Sequence, residues 1–183
     1  MGKVAIFLAK GYEEIEALTV VDMLRRAKIE IDMVSISNDD MTEGSHGICT
    51  KADKRLSEIN FDEYNMLVLP GGGLGSENLE GCEVLMEQFD RFYREGKNIA
   101  AICAAPSIFG HRGYLKGRKA GSYPTFEEQL EGAQVVREAA VRDGNVITGR
   151  GMGCAIDFSL MIIDTLKGKD EADRIANQII YSR

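Results

Sequence analysis

The sequence predicts an α/β protein built on a mostly parallel β-sheet covered on both faces. Short apolar runs alternate with segments of helical periodicity, the pattern of a sheet whose strands are joined by crossover helices. The runs are nearly continuous in apolar residues, as at 4-VAIFLA-9, 66-MLVL-69 and 99-IAAI-102, which marks strands buried on both sides. Several end at turn residues, most clearly at Pro70 and the three glycines after it. No internal repeat or low-complexity linker interrupts the order, so residues 1–183 read as a single domain, long enough to bury its own core.

The elements follow in sequence. A buried strand spans 3–9, and a helix spans 13–27 with Ile15, Leu18, Val21, Met23 and Leu24 recurring at helical spacing. A second strand covers 30–37, followed by the polar stretch 37-SNDDMTEGSHG-47 and a short hairpin segment from Ile48 to Lys51. After a connection over 52–64, a third central strand covers 65–69. A helix over 83–95 leads into the strand 99–102, and a further helix starts at Pro106 and runs to about 113. Short strand-like pieces lie at 119–122, 133–137 and 146–148, with Asp143-Gly144 as a turn signal. Two helices, 154–166 and 170–180, close the chain.

Composition excludes several functions. The net charge of −7, with no basic block or stripe, argues against nucleic acid or an anionic membrane surface as partner. The apolar run near the N-terminus is too short for a signal sequence or a membrane span, so the expected location is the cytoplasm. Cysteines 49, 82, 103 and 154 are far apart, and the two histidines show no paired spacing, so neither a disulfide framework, a redox dithiol nor a metal centre is expected. Cys49, Cys82 and Cys154 are read as packing or partly exposed thiols.

Cys103 stands apart because it sits in 98-NIAAICAAPSIFG-110, where a buried strand stops and a helix begins. A nucleophile on such a strand-to-helix elbow is exposed above the sheet, and the helix N-terminal amides beside it favour the thiolate. The competing reading is a small hydrophobe at the end of a core strand. In a parallel sheet, ligand sites gather outside the carboxyl ends of the strands. The same edge therefore receives Glu16, after the first strand, and Gly71 and Gly72, after the third. A carboxyl beside a thiol has its pKa raised by burial and negative charge, so a protonated Glu16 can donate to the Cys103 thiolate and shuttle a proton. For Glu13 and Glu14 the simpler role is that of acids in the first helical turn. The run 70-PGGGLG-75 lacks the Lys-Ser/Thr ending of a P-loop and has Ser76 where a dinucleotide fingerprint needs glycine. It better serves as a turn bringing the Gly72 amide to the thiol as an oxyanion donor, with the Ala104 amide as the second. His111 lies about 12 Å along the helix from Cys103 at 1.5 Å per residue, too far for a dyad. His46, in a loop, reads as solvated or as approaching the site from across it or from another subunit.

The motifs 9-AKGYEEIEA-17, 22-DMLRRA-27, 68-VLPGGGLGSENL-79, 100-AAICAAPSIF-109 and 149-GRGMGCAIDFSL-160 resemble the ThiJ/PfpI superfamily, in the branch of the Parkinson disease protein 7 (DJ-one) type. The resemblance runs over essentially the whole chain. It implies a flavodoxin-like three-layer sandwich, with Cys103 as the nucleophile-elbow cysteine, and a homodimer with its face on the first helix around Leu18 to Arg26. By the motif, Cys103 is similar to the family's reactive cysteine, Glu16 to its partner acid, and Gly72 and Ala104 to its anion-binding amides. Three positions depart from the pattern. Ala104 stands where the protease-like branch has a histidine, so a peptidase mechanism loses its base. Tyr123, in 121-GSYPTF-126, stands where the deglycase branch often has a histidine. His46, in 44-GSHGIC-49, is the closest match to an arginine that the branch presents from a partner subunit. Tyr123 and His46 are thus expected at the substrate pocket.

The function this implies is a glyoxalase III or deglycase type of enzyme, acting on methylglyoxal or early glycation adducts without a cofactor or metal. A redox-sensing or stress-protective protein, whose Cys103 is oxidised to a sulfinate held by Glu16, is the alternative. A noncatalytic scaffold with a packed cysteine is the third.

Overall fold

The structure, a computed structural model, describes residues 2–182. Its first half contains strands β1 (Lys3–Leu8), β2 (Glu30–Ser35), β3 (Met41–Glu43), β4 (Cys49–Lys51), β5 (Lys54–Arg55) and β6 (Met66–Leu69), with helices α1 (Glu14–Arg26) and α2 (Gly73–Glu80). The second half adds β7 (Asn98–Ile102), β8 (Lys119–Ala120), β9 (Gln134–Val135), β10 (Ala140–Asp143) and β11 (Val146–Gly149). Its helices are α3 (Glu83–Arg94), α4 (Pro106–His111), α5 (Ala155–Lys167) and α6 (Lys169–Gln178).

Seven strands form the central sheet in the order β10-β11-β7-β6-β1-β2-β5. Every neighbouring pair in it is parallel except β10 with β11. The expected flavodoxin-like three-layer sandwich is present, and its two interfaces follow from strand alternation. Val4, Ile6, Leu8, Met66, Val68, Ala100 and Ile102 pack on one face with the buried sides of α1, α5 and α6. Ala5, Phe7, Leu67, Leu69, Ile99 and Ala101 pack on the other with Leu85, Met86, Phe89 and Phe92 of α3 and with Ile108 and Phe109 of α4. Phe89 lies between Phe7 and Phe109, at ring separations of 6.0 and 5.8 Å. Because β1 pairs with β2 on one side and β6 on the other, the chain reverses direction across the sheet here, opening a crevice at the carboxyl ends of β1 and β6.

Most predicted boundaries lie within one or two residues of the observed ones, and the larger differences have local causes. Helix α2 has no counterpart in the sequence reading, because glycine at 73 and 75 depresses helix propensity. Tertiary bonds hold it instead: the Gly75 N–H donates to the Gly11 carbonyl at 3.1 Å and the Asn78 side-chain amide to the Lys10 carbonyl at 2.8 Å. The polar stretch before Ile48 contains β3, the first arm of a hairpin with β4. The strand expected over 133–137 contracts to β9, two residues paired with β8. β10 adds the antiparallel edge, joined to β11 through a turn at Gly144. Among the described residues no helix is long and apolar enough to cross a membrane.

Candidate active site

Cys103 follows β7 with φ of +65°, in the left-handed region that an L-residue with a side chain enters only at a cost. The strain is held by bonds on both sides. The Cys103 N–H donates to the Gly149 carbonyl at 3.0 Å, and the Cys103 carbonyl accepts from the Tyr123 N–H at 2.9 Å. The elbow turns the thiol toward α1, where Glu16 is fully buried. Gly71 closes the third side: its N–H donates to Glu16 Oε2 at 2.9 Å. A Cβ on Gly71 would lie 2.5 Å from both the Cys103 Cβ and Glu16 Oε2, so only glycine fits between them. Gly72, at φ +91°, is pressed against the Gly11 carbonyl, and its amide, like that of Ala104, reaches the sulfur. The four residues expected to converge, Cys103, Glu16, Gly72 and Ala104, are therefore together.

Their protonation differs from the expectation in one respect. Burial raises the Glu16 carboxyl to about 7, with a smaller contribution from the charge of Glu13, as anticipated for a carboxyl in this position. The thiol is not depressed. Burial first, then the charge and hydrogen-bonding demand of Glu16, push Cys103 up to about 12, outweighing the Gly72 and Ala104 amides that act in the opposite sense. Two acidic groups share a dry space, and between these values the pair carries a single proton. Glu16 Oε1 is buried with no hydrogen-bond partner.

The two further residues expected at the pocket, Tyr123 and His46, are both exposed. Tyr123 is half-exposed beside Gly151, where an added Cβ would sit 3.4 Å from the tyrosine Cδ2. His46 is exposed and faces the start of α1: its N–H donates to Glu14 Oε1 at 2.8 Å and its Nδ1 lies 3.1 Å from Glu14 Oε2. Its bonds are to the Glu13 and Glu14 side of the helix rather than to Cys103. His111 is engaged by Glu80 at 2.7 Å, consistent with its exclusion as a base. Two residues were not singled out by the sequence. Glu14 is almost fully buried and held down to about 2; burial opposes ionisation, but the His46 and Ile48 amides and the His46 ring overcome it. Gly71 was placed at the site without its packing role, for which only the glycine run was a signal.

Residues 2–165 match the model of the DJ-1/PfpI family. The chain belongs to that family. It is 34% identical over 180 residues to protein dj-1beta of Drosophila melanogaster, an alignment covering 97% of this chain and 96% of the relative. It is 36% identical over 180 residues to protein DJ-1 homolog B of Arabidopsis thaliana, covering 97% of this chain and 41% of the relative. The chain spans less than half the length of the two Arabidopsis relatives it matches. Deglycase PfpI of Pyrococcus furiosus is 32% identical over 153 residues, covering 82% and 91% of the two chains. Among solved structures, oxidized Toxoplasma gondii DJ-1 superposes with a TM-score of 0.95 at 34% identity, covering 100% of both chains.

Proposed function

We propose that the protein is a cysteine-dependent enzyme of the glyoxalase III or deglycase type, acting on methylglyoxal or early glycation adducts without a cofactor. Kinship with DJ-1 proteins and with a deglycase supports the broader role, protective or deglycating. The observation that carries the finer reading is the buried Cys103–Glu16 pair, with one proton between them and two amides at the sulfur.

In this reading Cys103 Sγ attacks the aldehyde carbon of methylglyoxal. The C–S bond forms as the thiol proton passes to the Glu16 carboxylate, and the oxyanion develops toward the Gly72 and Ala104 amides. Glu16 then returns the proton to that oxygen, giving a hemithioacetal. Transfer of the remaining aldehyde hydrogen, as a proton carried by Glu16, from the thioacetal carbon to the neighbouring carbonyl carbon yields a lactyl thioester through an enediol. Water releases lactate and restores the thiol. One carbon is oxidised as its neighbour is reduced, so no external redox partner enters the balance. Tyr123 and His46 would line the approach.

Lactate production from methylglyoxal by the parent protein, Cys103→Ser and Glu16→Gln tests the reading. Turnover in the parent and loss in both variants, with folding retained, is expected. No turnover in the parent, or turnover retained in Cys103→Ser, overturns it. The redox reading is favoured by the same two amides and by Glu16 in its protonated form, whose O–H would donate to a sulfinate oxygen. Its measurement is intact mass after mild peroxide, where a gain of two oxygens confined to Cys103 supports it.

The dimer belongs to the same proposal. An open groove of about 550 Å³ runs along α1, lined by Ile15, Leu18, Met23, Ile48, Ile156 and Ile179 among others. Ile15 and Ile48 are 52% and 55% exposed there, apolar area that a second copy would cover.

A further inference from the structure

Arg150 carries a half-buried positive charge that the fold leaves without a hydrogen bond. Its Nε is buried and unpartnered, and its contact with a carboxylate, from Nη2 to Glu127 Oε1, is 3.9 Å long, beyond hydrogen-bond reach. Glu127 is already engaged by another arginine. Arg137 donates to Oε1 from Nε at 3.3 Å and to Oε2 from Nη2 at 3.1 Å, the side-on fork that guanidinium and carboxylate form together. One carboxylate neutralises one guanidinium, so Arg150 keeps its charge and its donors. Leaving a buried charged donor unmet costs free energy that an incoming acceptor recovers.

The place of this arginine gives the charge a use. Strands β11 and β7 run parallel with Gly149 opposite Ile102, and the Cys103 N–H donates to the Gly149 carbonyl at 3.0 Å. One step further in that register sets Arg150 level with Cys103 on the neighbouring strand. Gly151 follows against the Tyr123 ring, and the Tyr123 N–H in turn holds the Cys103 carbonyl at 2.9 Å. Glu127 lies in the 3-10 helix Pro124–Gln129 that begins directly after Tyr123. The Cys154 thiol, pushed up by burial and by Asp157, also feels the charges of Arg150 and Glu16, which places both within electrostatic reach of one sulfur.

The chemistry of the vacant partner follows from the donor set. The Arg150 side chain is 33% exposed while Nε is buried, so solvent reaches part of the guanidinium and misses the edge at Nε. A planar carboxylate laid along that edge takes Nε and one Nη together, as Glu127 does on Arg137. A single uncompensated cation, with Glu16 and Glu127 nearby, suits a monoanion better than a doubly charged phosphate.

We propose that Arg150 is a specificity-determining residue that holds a carboxylate on the molecule attacked by Cys103. The inference deepens the deglycase reading and rests on it for the reaction: among early glycation adducts it selects glycated amino acids with a free carboxylate. Recognition of the carboxylate needs only Cys103 as the reacting thiol, and is therefore measurable without turnover.

Alkylation of Cys103 by matched anionic and neutral reagents, followed by peptide mass mapping, tests the proposal in the full-length reduced protein. The pairs are iodoacetate with iodoacetamide, and 3-maleimidopropionate with N-ethylmaleimide, whose carboxylates lie at two distances from the reacting carbon. In Arg150→Gln, with circular dichroism confirming the fold, the anionic-to-neutral rate ratio is expected to fall about tenfold or more in at least one pair, the worth of a charge-assisted hydrogen bond. Ratios that match the parent in both pairs, or anionic and neutral rates that collapse together, overturn it. Should Arg150→Gln fail to fold, Arg150→Lys decides: it keeps the charge but loses the fork, so the ratio is expected to drop several-fold, and a parent-like ratio overturns the assignment. Absence of lactate formation would sink the enzymatic reading and leave these ratios unaffected, so the two failures are distinguishable.

Discussion

Replacing Glu16 by glutamine should make the difference in stability between parent and variant depend on pH in one direction only. The folded carboxyl titrates at about 7 against an ordinary value of 4.5, because burial disfavours its charge. Below 4.5 it is protonated in both folded and unfolded chains. As pH rises from 4.5 to 7 the unfolded chain releases this proton before the folded one does, so the parent loses stability relative to Glu16→Gln; above 7 the loss is complete. At about 1.4 kcal/mol per pH unit the swing is about 3 kcal/mol. Glutamine can still accept from the Gly71 N–H, and any fault in its other contacts adds an offset that does not vary with pH. Cys103, pushed up to about 12, stays protonated in the folded chain, and the onset of ionisation of the unfolded thiol near pH 8.5 is common to both proteins and cancels in the difference. Urea unfolding of both proteins from pH 4 to 8.5, at one protein concentration with reductant and chelator present, measures the swing. A difference that stays flat across the range, or that moves in the parent's favour as pH rises, would refute the account of a carboxyl ionised at a cost in a dry site.

Glu16→Gln should also separate nucleophilicity from turnover: without the neighbouring carboxylate charge the thiol pKa falls, so Cys103 should alkylate faster at pH 8 while lactate formation is lost, and slower alkylation would contradict the assigned cause of the shift. Gly71→Ala places a Cβ 2.5 Å from both Cys103 Cβ and Glu16 Oε2, which should cost about 1–3 kcal/mol in urea unfolding and abolish turnover; parent-like values for both would show that the two side chains can move apart. Phe89→Ala, in the middle of the α3 face, should cost about 3–5 kcal/mol by the same measurement, and a loss below 1 would mean that the Phe7–Phe89–Phe109 cluster collapses around the gap. Ile15→Glu introduces a charge into the α1 groove and should convert the proposed dimer to monomer in light scattering at micromolar concentration; an unchanged dimer mass would place the face elsewhere, and a monomeric parent would overturn the dimer.

What the sequence could reveal here depended on how local each cause was. The elbow at Cys103 was legible because strand, cysteine, small residues and Pro106 are contiguous, and each has its own local preference. The convergence of Glu16 and Gly72 on that elbow followed from topology, since strands of a parallel sheet deliver their following loops to one edge. Helix α2 was illegible because its glycines argue against helix, while the Gly11 and Lys10 carbonyls that hold it come from another loop. The protonation of the thiol was illegible for the same reason. Helix-end amides are visible beside Cys103 in the sequence, but burial of the sulfur and a carboxylate eighty-seven positions earlier in the chain act on it more strongly. Both of those oppose the amides. In the proposed reaction the thiol proton accordingly moves to Glu16 as the bond forms. That is why the reading stands or falls with Glu16 as much as with Cys103, and why Gly71, which admits no side chain between them, belongs to the same unit.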